Sequence, residues 1–192
     1  MKIGVLAVQG AFAEHISLFK QLGVEAVPVR LPRELQFVDG IVIPGGESTT
    51  ISQLLQNYNL MQPLRDYAAR GMPFFGTCAG MILMAKHVSG NNFLTLSLMD
   101  IQVRRNAYGR QIDSFETDIL MPEIGATPFR AVFIRAPLIE QCYQGVEVLA
   151  RLPDDTVVAA KQNNCLVTAF HPELTEDPRI HRLFLDMIYK TG

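Results

Sequence analysis

An α/β fold with a mostly parallel sheet covered by helices is what this sequence predicts, on three observations. Short apolar runs alternate with stretches of helical period, the pattern of strand–helix–strand units. The runs stop at glycine- or proline-bearing turns such as Gln9-Gly10 and Pro44-Gly45-Gly46. At 192 residues and 48% hydrophobic composition, the chain suits one domain spanning residues 1–192 around a large core.

Taken in order, Ile3 to Val8 reads as a buried first strand. After Gly10, the residues Phe12, Ile16 and Phe19 share one helical face, and that helix ends near Gly23. Glu25 to Val29 is a second strand and Gly40 to Ile43 a third. Ser48, Thr49 and Thr50 are N-cap candidates for a helix through Leu54 and Leu55. Met72 to Phe75 is a fourth strand running into Gly76-Thr77-Cys78-Ala79-Gly80, after which Met81, Met84, Ala85 and Val88 repeat at helical spacing. Beyond residue 90 strands dominate: 101–103, 115–120, 131–134, 146–149, 157–160 and 166–170. With no internal repeat or linker, they are expected to extend the same sheet. Asp177 caps a closing helix, Pro178 suits its first position, and Ile180, Leu183, Phe184, Met187 and Ile188 form its apolar stripe.

Composition narrows the partners. A formal net charge of -2 gives no electrostatic reason to expect nucleic acid. Cys78, Cys142 and Cys165 are too few and too scattered for a disulfide framework, and no paired Cys-x-x-Cys spacing marks a zinc site. No metal or cofactor is expected. The first apolar run stops too soon for a secretory signal, and no stretch reaches the roughly eighteen apolar residues of a membrane span. These features predict a soluble, cytoplasmic protein with reduced thiols.

Gly76-x-Cys78-x-Gly80, between a buried strand and a helix, carries the strongest chemical signal. It is the nucleophile-elbow pattern with cysteine in the serine position. The nucleophile must project from a sharp turn, and flanking glycines let strand and helix approach without Cβ clashes. The helix N-terminus beneath the sulfur favours the charged, nucleophilic form. A lone cysteine would read instead as a buried structural thiol.

A thiolate needs a base. His15, His87 and His181 lie in helical patterns or at their ends and read as solvated surface residues. His171 follows the run 166–170, at the strand end where α/β folds place their sites. In an extended His171-Pro172-Glu173 segment, residues two apart point to one side, so Glu173 can hold the imidazole in its working tautomer. Pro44-Gly45-Gly46-Glu47-Ser48, between strand and helix, frees backbone N–H groups for an anion. It lacks the Gly-Lys-Ser/Thr of a P-loop. The N–H groups of Gly46 and Ala79 therefore suit an oxyanion hole.

In the order Cys, His, Glu these elements resemble the class I glutamine amidotransferases. A wider set of blocks is similar to the glutaminase subunits of pyridoxal 5′-phosphate synthases. They are Gln9-Gly10 with Glu14-His15, the run 44–50, the run 75–80, Arg105-Asn106 with Gly109-Arg110-Gln111, Ser114-Phe115-Glu116, the run 133–137 and the run 170–175. Two mild departures are Tyr108, where Phe is usual, and Leu96-Ser97-Leu98, which lacks a glycine common before that strand. The resemblance implies a flavodoxin-like, three-layer glutaminase that releases ammonia from L-glutamine and passes it to a synthase subunit in a hetero-oligomer. It also implies that Gly46, Glu47, Ser48, Arg105, Ile134 and Arg135 contact glutamine. An arginine clamp on the α-carboxylate and Glu47 on the α-ammonium would be chemically apt. A glutaminase serving another synthase would keep Cys78, His171 and Glu173 but not the Arg105 and Phe133 blocks. A cysteine-based redox or chaperone-like protein would have no use for the His171-Glu173 pair.

Overall fold

The computed structural model describes residues 1–90, 93–105 and 114–191. Its first half is a run of strand–helix units. β1 (Lys2–Leu6), β2 (Glu25–Val29), β3 (Gly40–Ile43) and β4 (Phe74–Thr77) alternate with α1 (Phe12–Gln21), α2 (Ser48–Asn57), α3 (Met61–Ala69) and α4 (Ala79–Met84). The second half supplies β5 (Ala85–Ser89), β6 (Met99–Arg104), β7 (Ser114–Ile119), β8 (Phe129–Ile134), β9 (Leu138–Cys142), β10 (Glu147–Arg151), β11 (Val157–Gln162) and β12 (Cys165–Thr168). α5 (Arg179–Thr191) closes the chain.

The sheet order is β2-β1-β3-β4-β12-β11-β9-β6-β5, and β10, off this path, pairs with β11. From β2 through β12 the pairs are parallel, and β11 and β9 then run antiparallel to their neighbours. The fold is thus α/β with a mostly parallel core extended by second-half strands. Both of the parallel strands β3 and β4 are buried on both faces, which explains their unbroken apolar character. Phe75 packs edge-on to His15 of α1 and His181 of α5, and lies 5.6 Å from Phe184, so α1 and α5 share one face.

Four readings of the sequence need correction. β7 and β8 do not join the main sheet; they pair with each other alone. α4 stops at Met84, and the Ala85–Val88 spacing belongs to β5, whose His87 and Val88 pair along β6. There the demands of strand pairing outweigh a short, ambiguous period. α3 and β9 carry too weak an apolar pattern to be read locally. The cap of α2 is Glu47, whose carboxylate accepts the N–H groups of Thr49 and Thr50 at 3.1 and 2.7 Å. The end of α5 agrees with expectation: Asp177 Oδ1 accepts from the Arg179 N–H at 3.0 Å.

Candidate active site

Three adjacent parallel strands end at one edge and converge on a single cleft. Register aligns Ile43 with Gly76 and Thr77 with Thr168, so the residues that follow β3, β4 and β12 meet. Those residues are the Gly45-Gly46 turn, Cys78 and His171. The cleft measures about 390 Å³. Gly46, Glu47, Ser48, Cys78, Arg105 and His171 line it, together with Ile134, the last residue of β8, and Arg135 after it. Asn106, Tyr108, Gly109, Arg110 and Gln111 lie outside the described residues.

Cys78 takes φ 49° and ψ -103°, outside the regions that side-chain-bearing residues favour. Its amide donates to the Thr168 carbonyl at 2.8 Å, which ties the elbow to β12. A Cβ on Gly80 would fall on the carbonyl oxygen of Ile43, and one on Gly76 would strike the Gly80 backbone. The glycines are therefore required by close approach, and the strain at Cys78 projects its sulfur into the cleft. Burial pushes the Cys142 thiol up, and the Cys165 thiol up to about 12.

His171 Nδ1 lies 2.7 Å from Glu173 Oε1, and both residues are buried. Residues 172–174 form a 3-10 turn and not the extended segment expected, yet the two side chains still meet. Burial pulls the His171 pKa down, but hydrogen bonds to Cys78 and Glu173 outweigh it and raise the value to about 10. Since Nδ1 faces Glu173, Nε2 is the nitrogen left for the sulfur.

The glycine turn is held from below. The Gly45 carbonyl accepts from the Ala11 N–H at 3.0 Å, and a planar trans peptide then points the Gly46 N–H the opposite way. A Cβ on Gly10 would fall on that same carbonyl. The Gln9 side chain accepts the Glu47 N–H at 2.9 Å, and the Thr77 hydroxyl accepts the Gly45 N–H at 3.0 Å. Ala79 begins α4, where backbone N–H groups have no partner within the helix.

Arg105 Nη2 pairs with Glu47 Oε1 at 3.0 Å, and Nη1 donates to Thr49 Oγ1 at 3.2 Å. Burial raises the Glu47 pKa, but hydrogen bonds from Thr50 and Thr49 outweigh it and bring it to about 2. Ser48 is buried, and its hydroxyl has no hydrogen-bond partner among the described residues. Sequence reasoning missed Ile82, which lines the cleft one turn beyond Cys78, and Thr77 under the loop. It also misplaced two histidines. His87 is exposed, but His15 and His181 have no accessible surface and bond to each other at 2.9 Å. No local pattern announces this, because their partners lie in distant parts of the chain.

Fold and cleft together define an α/β protein with a cysteine elbow facing a carboxylate-oriented histidine. The chain belongs to the SNO glutamine amidotransferase family, whose description matches residues 5–190. It is 56% identical over 190 residues to pyridoxal 5′-phosphate synthase subunit PdxT of Carboxydothermus hydrogenoformans, covering 99% of each chain. Against the subunit of that name from Dehalococcoides mccartyi it is 57% identical over 189 residues, covering 97% of each. A crystal structure of a glutamine amidotransferase superposes with a TM-score of 0.93 at 45% identity, covering 97% of this chain and 98% of the other.

Proposed function

We propose that residues 1–192 act as one domain, the glutaminase subunit of a pyridoxal 5′-phosphate synthase. Its reaction is hydrolysis of L-glutamine to L-glutamate and ammonia, with the ammonia passed to a synthase subunit in a cytoplasmic hetero-oligomer. Full-length similarity to subunits of that name supports the assignment. The observation that carries the chemistry is Cys78, held at a strained elbow and hydrogen-bonded to a His171 that Glu173 orients.

The Cys78 thiolate attacks the side-chain amide carbon of glutamine. Charge gathers on the carbonyl oxygen, where the Gly46 and Ala79 N–H groups receive it. The imidazolium of His171 gives its proton to the departing nitrogen, leaving ammonia and a γ-glutamyl thioester. Neutral His171 then takes a proton from water, which attacks the thioester and releases glutamate and the thiolate. Glu173 keeps Nε2 directed at the reacting atoms throughout. Arg105 and Arg135 serve the α-carboxylate, Glu47 and Ser48 the α-ammonium, and Ile134 packs the substrate stem. In this reading the Arg105–Glu47 pair holds both recognition groups in place before glutamine arrives.

Glutamate release by the chain alone and with a synthase subunit is the test. Activity is expected to be low alone and to rise on complex formation, because ammonia made without an acceptor is wasted. Absence of glutamate release under both conditions would refute the assignment.

A further inference from the structure

Behind the cleft lies a buried polar chain that the reaction above does not use. His181 Nε2 is 2.9 Å from His15 Nδ1, and His15 Nε2 is 3.2 Å from Thr77 Oγ1 and 3.4 Å from Glu173 Oε2. Phe19 and Phe75 surround the two rings edge-on. Glu173 Oε2 is buried and makes no hydrogen bond among the described residues, and the same holds for His181 Nδ1.

These contacts settle the protons. If His181 carried its proton on Nδ1, a buried N–H would be left without an acceptor, which is costlier than an idle lone pair. The proton therefore sits on Nε2 and is donated to His15 Nδ1. His15 must then carry its own proton on Nε2, facing Thr77 and Glu173. The reverse arrangement would aim an imidazole lone pair at a carboxylate oxygen. Burial holds His15 well below its ordinary pKa and brings His181 down to about 3, so both rings stay neutral.

Resting on the glutaminase reading, we infer that His15 is a positioning residue for the Cys78–His171 pair: locked by His181, its Nε2–H steadies the inner oxygen of Glu173 and the Thr77 hydroxyl. Through Glu173 it sets the ring of His171. Through Thr77, which accepts the Gly45 N–H, it reaches the turn that presents Gly46. One neutral donor thus supports the base and the oxyanion loop together.

Two measurements test this. In the ¹⁵N-histidine-labelled wild-type chain, long-range ¹H–¹⁵N spectra are expected to show His15 and His181 neutral and protonated on Nε2 from pH 6 to 8. A proton on His15 Nδ1, or an imidazolium at either residue, would overturn the inference. This readout does not depend on activity. For the complex with its synthase subunit, His15→Leu is expected to lower kcat about tenfold or more with KM little changed, because it removes the hydrogen bond to Thr77 and the N–H that faces the Glu173 carboxylate. His15→Gln places an amide nitrogen near the site of Nε2 and is expected to recover most of the loss. In a Glu173→Gln background, His15→Leu should cost less than about half of its wild-type effect on a logarithmic scale. Equal losses in the two His15 variants, or full additivity with Glu173→Gln, would assign His15 a purely structural role. Wild-type activity no greater than that of Cys78→Ala would instead refute the glutaminase reading.

Discussion

Glu173 separates two histidine environments that share deep burial and differ in everything else. On the cleft side, His171 bonds to one carboxylate oxygen and to Cys78, and its pKa rises to about 10 despite desolvation. On the core side, His15 and His181 bond to each other, and burial drives His181 down to about 3 and His15 well below its ordinary value. Burial alone therefore does not set the charge of an imidazole. On the cleft side Glu173 Oε1 lies at 2.7 Å and its hydrogen bond outweighs burial; on the core side Glu173 Oε2 stands off at 3.4 Å from His15, and burial prevails. On the proposed mechanism the labour is divided: the ring that moves protons faces the substrate, and the buried pair holds the framework still.

The largest expected effect comes from removing the sulfur that His171 faces. Cys78→Ala is expected to abolish glutamate release while leaving circular dichroism unchanged, since the substitution opens only a small gap. The same variant should lower the His171 pKa, measurable by NMR titration, because the sulfur is one of its two hydrogen-bond partners. Substitutions at Cys142 and Cys165 should spare activity. An unchanged His171 titration in Cys78→Ala would break the comparison on its cleft side.

His171→Asn follows closely. It removes the acid and base together and is expected to cost about 10²–10⁴ in kcat. Glu173→Gln should cost less, because the amide still reaches the ring but no longer enforces its tautomer. The double variant should be only slightly worse than His171→Asn, as the members act as a unit. Additive losses would give Glu173 a separate task.

The cleft side was far more legible in the sequence than the core side, for a physical reason. An elbow must have Gly76 and Gly80 near Cys78, and a base must sit at a strand end, so local spacing carries the information. The parallel strands β1, β3 and β4 were readable because burial on both faces demands nearly unbroken apolar runs. Pairing across long separations leaves no such mark. β9 has a short apolar start and is defined by its register with β6. His15 looks like any helical histidine until α5 brings His181 against it. The cap of α2 was misassigned by one residue. Glu47 combines cap, ion pair and cleft lining, and only the fold brings Arg105 to it.

Substrate recognition offers a smaller effect. Arg105→Lys keeps the charge but loses the planar fork that spans Glu47 and Thr49. Loss of one charge-assisted bond is expected to raise KM for glutamine about tenfold, with kcat reduced less. Arg135→Lys is expected to act in the same direction if it shares the α-carboxylate. Unchanged kinetics in both would return these arginines to ordinary surface roles.

The smallest effect is a change of slope, and it sharpens the comparison on its core side. An unfolded histidine titrates near 6.5. His171, raised to about 10, contributes stability that is fully present below pH 6.5 and lost as pH rises through about 10. His15 and His181 work the other way: the unfolded chain binds their protons below pH 6.5 while the folded chain does not, so acid costs stability. His181→Phe removes one of those uptakes and puts an aromatic ring beside Phe19 and Phe75. At pH 7 the variant is expected to be about 1 kcal/mol less stable, because His15 Nδ1 loses its donor. Below pH 6.5 the wild type should lose stability faster than the variant, by up to about 1.4 kcal/mol per pH unit, the slope of one proton. The two stabilities should therefore converge and then cross between pH 7 and 5 in urea-unfolding measurements, since about 1.5 pH units at that slope exceed the gap of about 1 kcal/mol. A gap that stays constant over that range would mean that folded His181 takes up its proton like an exposed residue. The core-side chain would then lose the fixed tautomer on which His15 depends.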